Sequence, residues 1–192
     1  MINVDGDLNH AFDADIVFIT SMDHAHGREV VNLVMDKSEL ISPWLNQLHR
    51  VQKIIAAQCS GAFFLAESGL LDGRNATTSW WLTPTLKKAY PKVIAHPEEL
   101  LQHENGLYTC GAFGSYMHMC VHLIERFAGR EVATRCAKVA LMHTQLASQA
   151  PLVPLFHANK QQDEAIFNAI TWMRENLQNT INIDALASEF AL

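Results

Sequence analysis

Apolar positions along this 192-residue chain fall into two kinds of pattern. Short β-branched runs predict strands, and stripes at three- and four-residue spacing predict helices. Asp15-Ile16-Val17-Phe18-Ile19-Thr20 is the first such run, apolar on consecutive positions as a buried parallel strand is. Residues 26–37 then predict a helix, with Val30, Val31, Leu33 and Val34 on one side. Ser42-Pro43 reads as an N-cap followed by proline at the first helical position, which predicts a second helix through about Arg50. Lys53 to Ala57 is the next apolar strand. Cys59-Ser60-Gly61 is a small-residue turn, and AFFLAESGLL after it predicts a helix closed by Asp72-Gly73.

Ala76-Thr77-Thr78 and Lys92 to Ala95 are weaker strands around a helix at 83–90. Leu107-Tyr108-Thr109-Cys110 is another strand. Gly111 and a long helix to about Phe127 follow, Gly129 ends that helix, and a further helix covers about 131–142. Residues 144–160 hold Pro151 and Pro154 without clear periodicity and read as a linker or extended arm. Ile166, Ile170, Met173 and Leu177 form a helical stripe, Asn179-Thr180-Ile181-Asn182 breaks it, and Ile183 to Leu192 begins one more helix. Alternating strands and helices predict an α/β fold with right-handed crossovers and a parallel sheet.

Composition narrows the classes. Hydrophobic residues make up 49% and charged residues 18%, which is globular rather than disordered. The net charge of −6, with five acidic and no basic side chains in the first 23 residues, argues against a chain that coats nucleic acid or anionic membrane. No apolar run reaches the roughly 18 residues of a transmembrane helix, and the N-terminus lacks the basic flank and apolar core of a secretory signal. Cysteines at 59, 110, 120 and 136 form no CxxC pair and read as free thiols of a cytoplasmic protein, not a disulfide framework or zinc site.

Cys59 is the most informative position. It follows a strand and opens a helix, so a tight turn aims it at the carboxyl edge of the sheet, and the helix N-terminus favours thiolate. Nucleophile elbows share this geometry; a small, buried, inert cysteine fits the same position. Cys110 ends the next convincing strand, also before a glycine. The two cysteines could face one crevice at the strand ends, the usual ligand position in an open sheet, or could simply pack. His118 and His122 stand four apart on one helix, a metal-binding spacing, but no carboxylate completes the set, and they read as a surface or half-buried pair. His24 and His26 read the same way. Trp80-Trp81 lines either a pocket or the core. Met117, Met119 and Met142 read as core filler. No phosphate-binding glycine motif is present, and no cofactor or metal is implied.

At Cys59 the chain resembles a known family. IIAAQCSGAFFLAESGLLDGRNATTSWW (54–81) is similar to the amidotransferase-like domain of AraC-family transcriptional regulators. That domain belongs to the ThiJ/PfpI (class I glutamine amidotransferase-like) superfamily. FDADIVFITSM (12–22), AYPKVIAHPEELLQHENGLYTCGA (89–112) and HLIERFAGREVATRCAKVAL (122–141) agree in order, the second with the family's hairpin. The resemblance covers about residues 12–157. It implies a flavodoxin-like or Rossmann-like parallel sheet with helices on both faces, and C-terminal helices that begin a helix-turn-helix domain. AIFNAITWMRENLQNTINIDALASEFAL resembles the linker helix and first helix of that domain, which implies boundaries of 1–158 and 159–192.

The resemblance implies an effector-sensing regulatory domain, homodimeric, that binds a small metabolite near Cys59, Ser60, Gly61, Ser79, Trp80, Cys110 and Gly111. DNA is contacted only through the helix-turn-helix part, whose recognition helix is expected beyond Leu192; the last 30 residues carry five acidic and one basic side chain. The family's first strands are expected upstream of Met1, leaving a sheet edge that self-associates or an irregular N-terminus. Three departures weigh against the alternative, a thiol hydrolase or hydratase using Cys59. Ser79 stands where the family has a histidine. Ser60 stands where hydrolase relatives have one directly after the cysteine. Ser115-Tyr116-Met117-His118 replaces a run that carries an acid. Activation of the thiol then rests on the helix dipole alone.

Overall fold

A computed structural model describes residues 5–142, 148–151, 164–176, 178 and 182–190. The chain divides into two compact units, Met1–Pro151 and Leu152–Leu192. The first is an α/β unit. Its main sheet has the order β1-β2-β6-β5, with β1 Ile16–Ile19, β2 Ile54–Gln58, β6 Leu107–Cys110 and β5 Leu101–Glu104. β1, β2 and β6 are parallel, with Ile16 opposite Ile54 and Gln58 opposite Cys110. β5 runs antiparallel to β6. A second, two-stranded parallel sheet pairs β3 (Asn75–Ala76) with β4 (Ile94–Ala95), the two weak strands of the sequence pattern.

The side-chain alternation of β2 divides the core. Ile55 and Ala57 face a cluster with Val30, Val34, Leu45, Leu48, Phe63 and Leu86, supplied by α1 (Gly27–Arg50), α2 (Ala62–Glu67) and α3 (Thr83–Ala89). Ala56 faces the other way, with Tyr108 and Cys110 of β6, onto Met119 and Leu123 of α4 (Ser115–Ala128). Helices thus cover both faces of the sheet. α4 ends at Gly129, whose φ of +85° suits a residue without a side chain, and α5 (Arg130–Val139) packs against it.

Three elements differ from expectation. The helices predicted on either side of Ser42-Pro43 are one, Gly27–Arg50, with Pro43 inside it. Buried Val30, Val34, Leu45 and Leu48 keep one stripe through the proline, while Pro43 and Glu39, whose carbonyl loses its amide partner, are exposed. Packing of a continuous face outweighs the local stop signal. β1 is not buried on both faces but lies at the sheet edge, with Phe18 45% exposed. The all-parallel sheet gains an antiparallel edge strand, β5, because Asn105 and Gly106 both adopt positive φ (50° and 79°) and fold it back onto β6.

In the second unit, α6 (Glu164–Glu175) packs against α7 (Ile183–Phe190), burying Ala169 and Leu186. The polar break at 179–182 ends in a cap: Asn182 Oδ1 accepts the Ala185 N–H at 3.1 Å. Leu177, predicted on the α6 stripe, lies outside the described residues, as do 143–147 and 152–163 of the arm.

Candidate functional site

The site forms where β2 and β6 end side by side. Gln58 and Cys110 are register partners, so Cys59 leaves the sheet one residue beyond the neighbouring strand's last position. Cys59 holds φ +52° and opens a short 3-10 turn, Cys59–Gly61, that feeds α2. A non-glycine residue in the left-handed region carries strain of about 1–3 kcal/mol and persists only where its surroundings fix it. The elbow expected from the sequence is therefore present, and several contacts hold it.

Thr78 Oγ1 donates to the Cys59 carbonyl at 2.7 Å, and Ser79 Oγ donates to the Cys59 sulfur at 2.8 Å. Ser60 turns to the other side, where its Oγ accepts the Met22 N–H at 2.8 Å and lies 3.1 Å from Ser21 Oγ. Gly61 packs directly on β1: a Cβ there would stand 2.7 Å from the Ile19 carbonyl oxygen. Ser60 and Gly61 thus belong to the seam between the elbow and β1. Cys59 and Ser79 meet at the strand ends, next to the β6 terminus at Cys110 and Gly111. Trp80, next to Ser79, is half-buried and meets Trp81 edge-on at 5.1 Å between centroids.

The run Ala76-Thr77-Thr78-Ser79 is buried throughout. Buried hydroxyls need partners, and here they staple separate elements together. The Thr77 N–H donates to Thr109 Oγ1 on β6 at 2.9 Å, and Thr77 Oγ1 donates to the Glu99 carbonyl at 2.8 Å. The threonines read as a weak strand are thus the frame around Cys59.

Burial pushes the Cys110 thiol up to about 11; nearby Cys59 and Cys120 add to this, and hydrogen bonds from Ser115 and the Cys59 backbone oppose it. Cys110 is a neutral packing thiol at physiological pH. His122 lies tilted against His103 (centroids 5.0 Å) and 5.9 Å from the Tyr108 ring, whose hydroxyl accepts a hydrogen bond from Arg126. Among the described residues, no three His, Cys, Asp or Glu side chains gather where a metal could bind, and no helix is long and apolar enough to cross a membrane.

One residue beside the strand ends gave no signal in the sequence. Gln149, in the stretch taken for a linker or arm, is 2% exposed and lies against Gly111. Its Oε1 accepts the Ala112 N–H at 3.1 Å, and its Nε2 donates to the carbonyls of Glu99, Thr78 and Pro97 at 2.9, 3.2 and 3.3 Å. A lone glutamine between small residues has no periodicity to reveal it. The signal was on the other side, in Gly111, where any side chain would overlap the Gln149 carboxamide.

Residues 27–126 match the profile of the DJ-1/PfpI family, more than half of the chain. The chain belongs to the DJ-1/PfpI family. Its fold likeness agrees: DJ-1beta of Drosophila melanogaster superposes with a TM-score of 0.58 at 20% identity, covering 74% of this chain and 73% of that one. An AraC family transcriptional regulator from Pseudomonas putida superposes with a TM-score of 0.53 at 13% identity, covering 73% of this chain and 70% of that chain. The chain is also similar in sequence to proteins named as regulators. It is 28% identical over 134 residues to the HTH-type transcriptional regulator GbdR of Pseudomonas aeruginosa, covering 69% of this chain and 36% of GbdR. It is 33% identical over 106 residues to the HTH-type transcriptional regulator GlxA of Rhizobium meliloti, covering 55% of this chain and 32% of GlxA. The chain thus spans about a third of the length of these two curated relatives.

Proposed function

We propose that this chain is the effector-sensing part of an AraC-type transcriptional regulator, with a DJ-1/PfpI domain over 1–158 and the start of a helix-turn-helix domain over 159–192. A small metabolite binds at the carboxyl ends of β2 and β6, beside Cys59, Ser79, Trp80, Cys110 and Gly111, with Ser60 and Gly61 holding the elbow. The observation that carries this reading is the partner of the Cys59 thiol. It is the Ser79 hydroxyl, at 2.8 Å, in the position where a thiol enzyme needs a base. A serine hydroxyl donates a hydrogen bond but takes no proton at neutral pH, so the elbow keeps its shape and serves recognition rather than turnover. The relatives named as HTH-type transcriptional regulators support the same assignment.

Binding in such a regulator biases DNA contact through the segment that follows the domain, so a ligand acts by its differential affinity for two arrangements. In this reading the chain is cytoplasmic and homodimeric, and it meets DNA only through the helix-turn-helix part. Among the described residues β1 pairs only with β2, and Phe18 is 45% exposed beside a cavity of about 780 Å³, which supports self-association across that edge. Isothermal titration with amines, amino acids and quaternary ammonium compounds tests the ligand reading; heat from none of them counts against it. Light scattering tests the dimer, and a monomer at tens of micromolar rejects it. The thiol-enzyme alternative requires that Cys59→Ser abolish turnover of aldehyde, amide or isonitrile substrates; equal turnover by both proteins removes Cys59 as a nucleophile.

A further inference from the structure

The polar groups around Gln149 form a cradle of defined chemistry. Carbonyl oxygens of Thr78, Pro97 and Glu99, with Thr77 Oγ1 at 3.4 Å, converge on Nε2, and a single donor, the Ala112 N–H, meets Oε1. The carbonyls can only accept, so the nitrogen end must face them and the amide cannot be flipped. A carboxylate in this place would set a second oxygen against three carbonyls. An ammonium group would leave the Ala112 N–H without an acceptor. A primary carboxamide satisfies both ends. Gly111 completes the cradle by leaving room where a Cβ would overlap the carboxamide.

Among the described residues, the segment that carries Gln149 has its other bonds at Ser148 and at the Gln149 and Ala150 amides. Ser148 Oγ and the Gln149 N–H both donate to the Glu98 carbonyl at 2.7 Å, and Ser148 makes an antiparallel bridge to Glu99. Gln149 is thus the chief buried anchor of residues 148–151, the last described part of the first unit.

We propose that this cradle is a primary-carboxamide subsite of the effector crevice, filled in cis by Gln149, so that a ligand bearing that group takes the cradle and releases the 148–151 segment. The proposal rests on the effector-sensing reading and names both the ligand chemistry and the part that moves. The tethered glutamine competes at high local concentration, so an effective ligand must add contacts elsewhere in the crevice, toward Cys59 and Trp80.

The test uses the 192-residue chain with Gln149→Ala, and acetamide as the probe, because acetamide matches the atoms removed. Acetamide is expected to raise the melting midpoint of Q149A by about 3 °C at ten times its Kd, leaving the wild type unmoved. Equimolar acetone, which cannot donate, and acetate, which cannot donate and is charged, are expected to do nothing. Hydrogen exchange should show Ala112 re-protected by acetamide while residues 149 and 150 stay fast. Equal shifts with acetone, or no shift with acetamide, overturn the proposal. So does slow exchange at 149–150 in Q149A without ligand.

If Q149A does not fold, Gln149→Glu decides. Its neutral acid imitates the amide and its carboxylate does not, so protection at 148–150, taken as the exchange rate relative to that of an unstructured peptide at the same pH, should be lower at pH 8 than at pH 5, and equal protection overturns the proposal. These readings need no effector. Silence from every metabolite with a clean acetamide result sinks the regulator reading and not the cradle, and the converse pattern sinks the cradle alone.

Discussion

Gly61→Ala tests how the elbow is seated. Gly61 has φ −59° and ψ −27°, which any residue adopts, so alanine there adds no backbone strain. What it adds is a methyl group 2.7 Å from the Ile19 carbonyl oxygen, 3.0 Å from that of Thr20 and 3.2 Å from Ile19 Cγ2. Ordinary contact begins about 0.5 Å farther out, and two of the three obstacles are backbone. β1 cannot retreat freely, because Ile19 is held in register with Ala57. Forcing a methyl into such a seam costs about 1–3 kcal/mol. At about 2–4 °C per kcal/mol for a chain of this size, the midpoint should fall by about 6 °C. Gly114→Ala is the control. It has φ −66° and nothing within 4 Å of the added carbon, so it should gain about 0.4–1 kcal/mol through the unfolded state. Both variants are measured by thermal and guanidinium denaturation, with hydrogen exchange at Met22, whose N–H donates to Ser60 Oγ, as the local readout. A Gly61→Ala protein as stable as wild type, with Met22 still protected, refutes the close-packed seam.

Other outcomes follow from the same structure. Burial first, then the charges of His103 and Arg126 against that of Glu125, holds His122 below the ordinary histidine value. Its contribution to stability is full above the unfolded-state value of about 6.5 and is lost as pH falls from there toward the lower folded value, so His122→Gln should flatten the pH dependence between about 7 and 5. Cys110, at about 11 and fully buried, should resist iodoacetamide at pH 8 in the native protein and react only on unfolding, and native labelling at Cys110 would contradict its burial. Pro43→Ala should raise the unfolding free energy by up to about 3 kcal/mol, read as a higher denaturation midpoint, since it restores an amide donor to an exposed helix interior. Trp44→Phe should cost about 1 kcal/mol through loss of the 2.9 Å bond from Nε1 to the Leu8 carbonyl.

The sequence by itself determined the local grammar. Apolar runs at 16–19, 54–58 and 107–110 became the parallel strands, and the Cys-Ser-Gly turn became the elbow, because each is set by side chains adjacent in the chain. Asn182, in the polar break, caps α7 for the same reason. The outcome at Pro43 belonged to the tertiary structure, where a buried face on both sides of the proline outweighs the missing hydrogen bond. The positions of β5 show no clean alternation, so its pairing was settled only against β6.

The site divides the same way. Cys59, Cys110 and Gly111 were legible as ends of strands and turns, and Ser79 only through the family resemblance. That Ser79 would meet the Cys59 sulfur, that Ser60 would face β1 instead, and that Gln149 would reach back to Gly111 were decided by the fold. Periodicity reports which face of an element is buried. It carries no information about which buried polar group, tens of residues away, will satisfy another, and the desolvation of unpaired groups in the folded chain alone selects those partners.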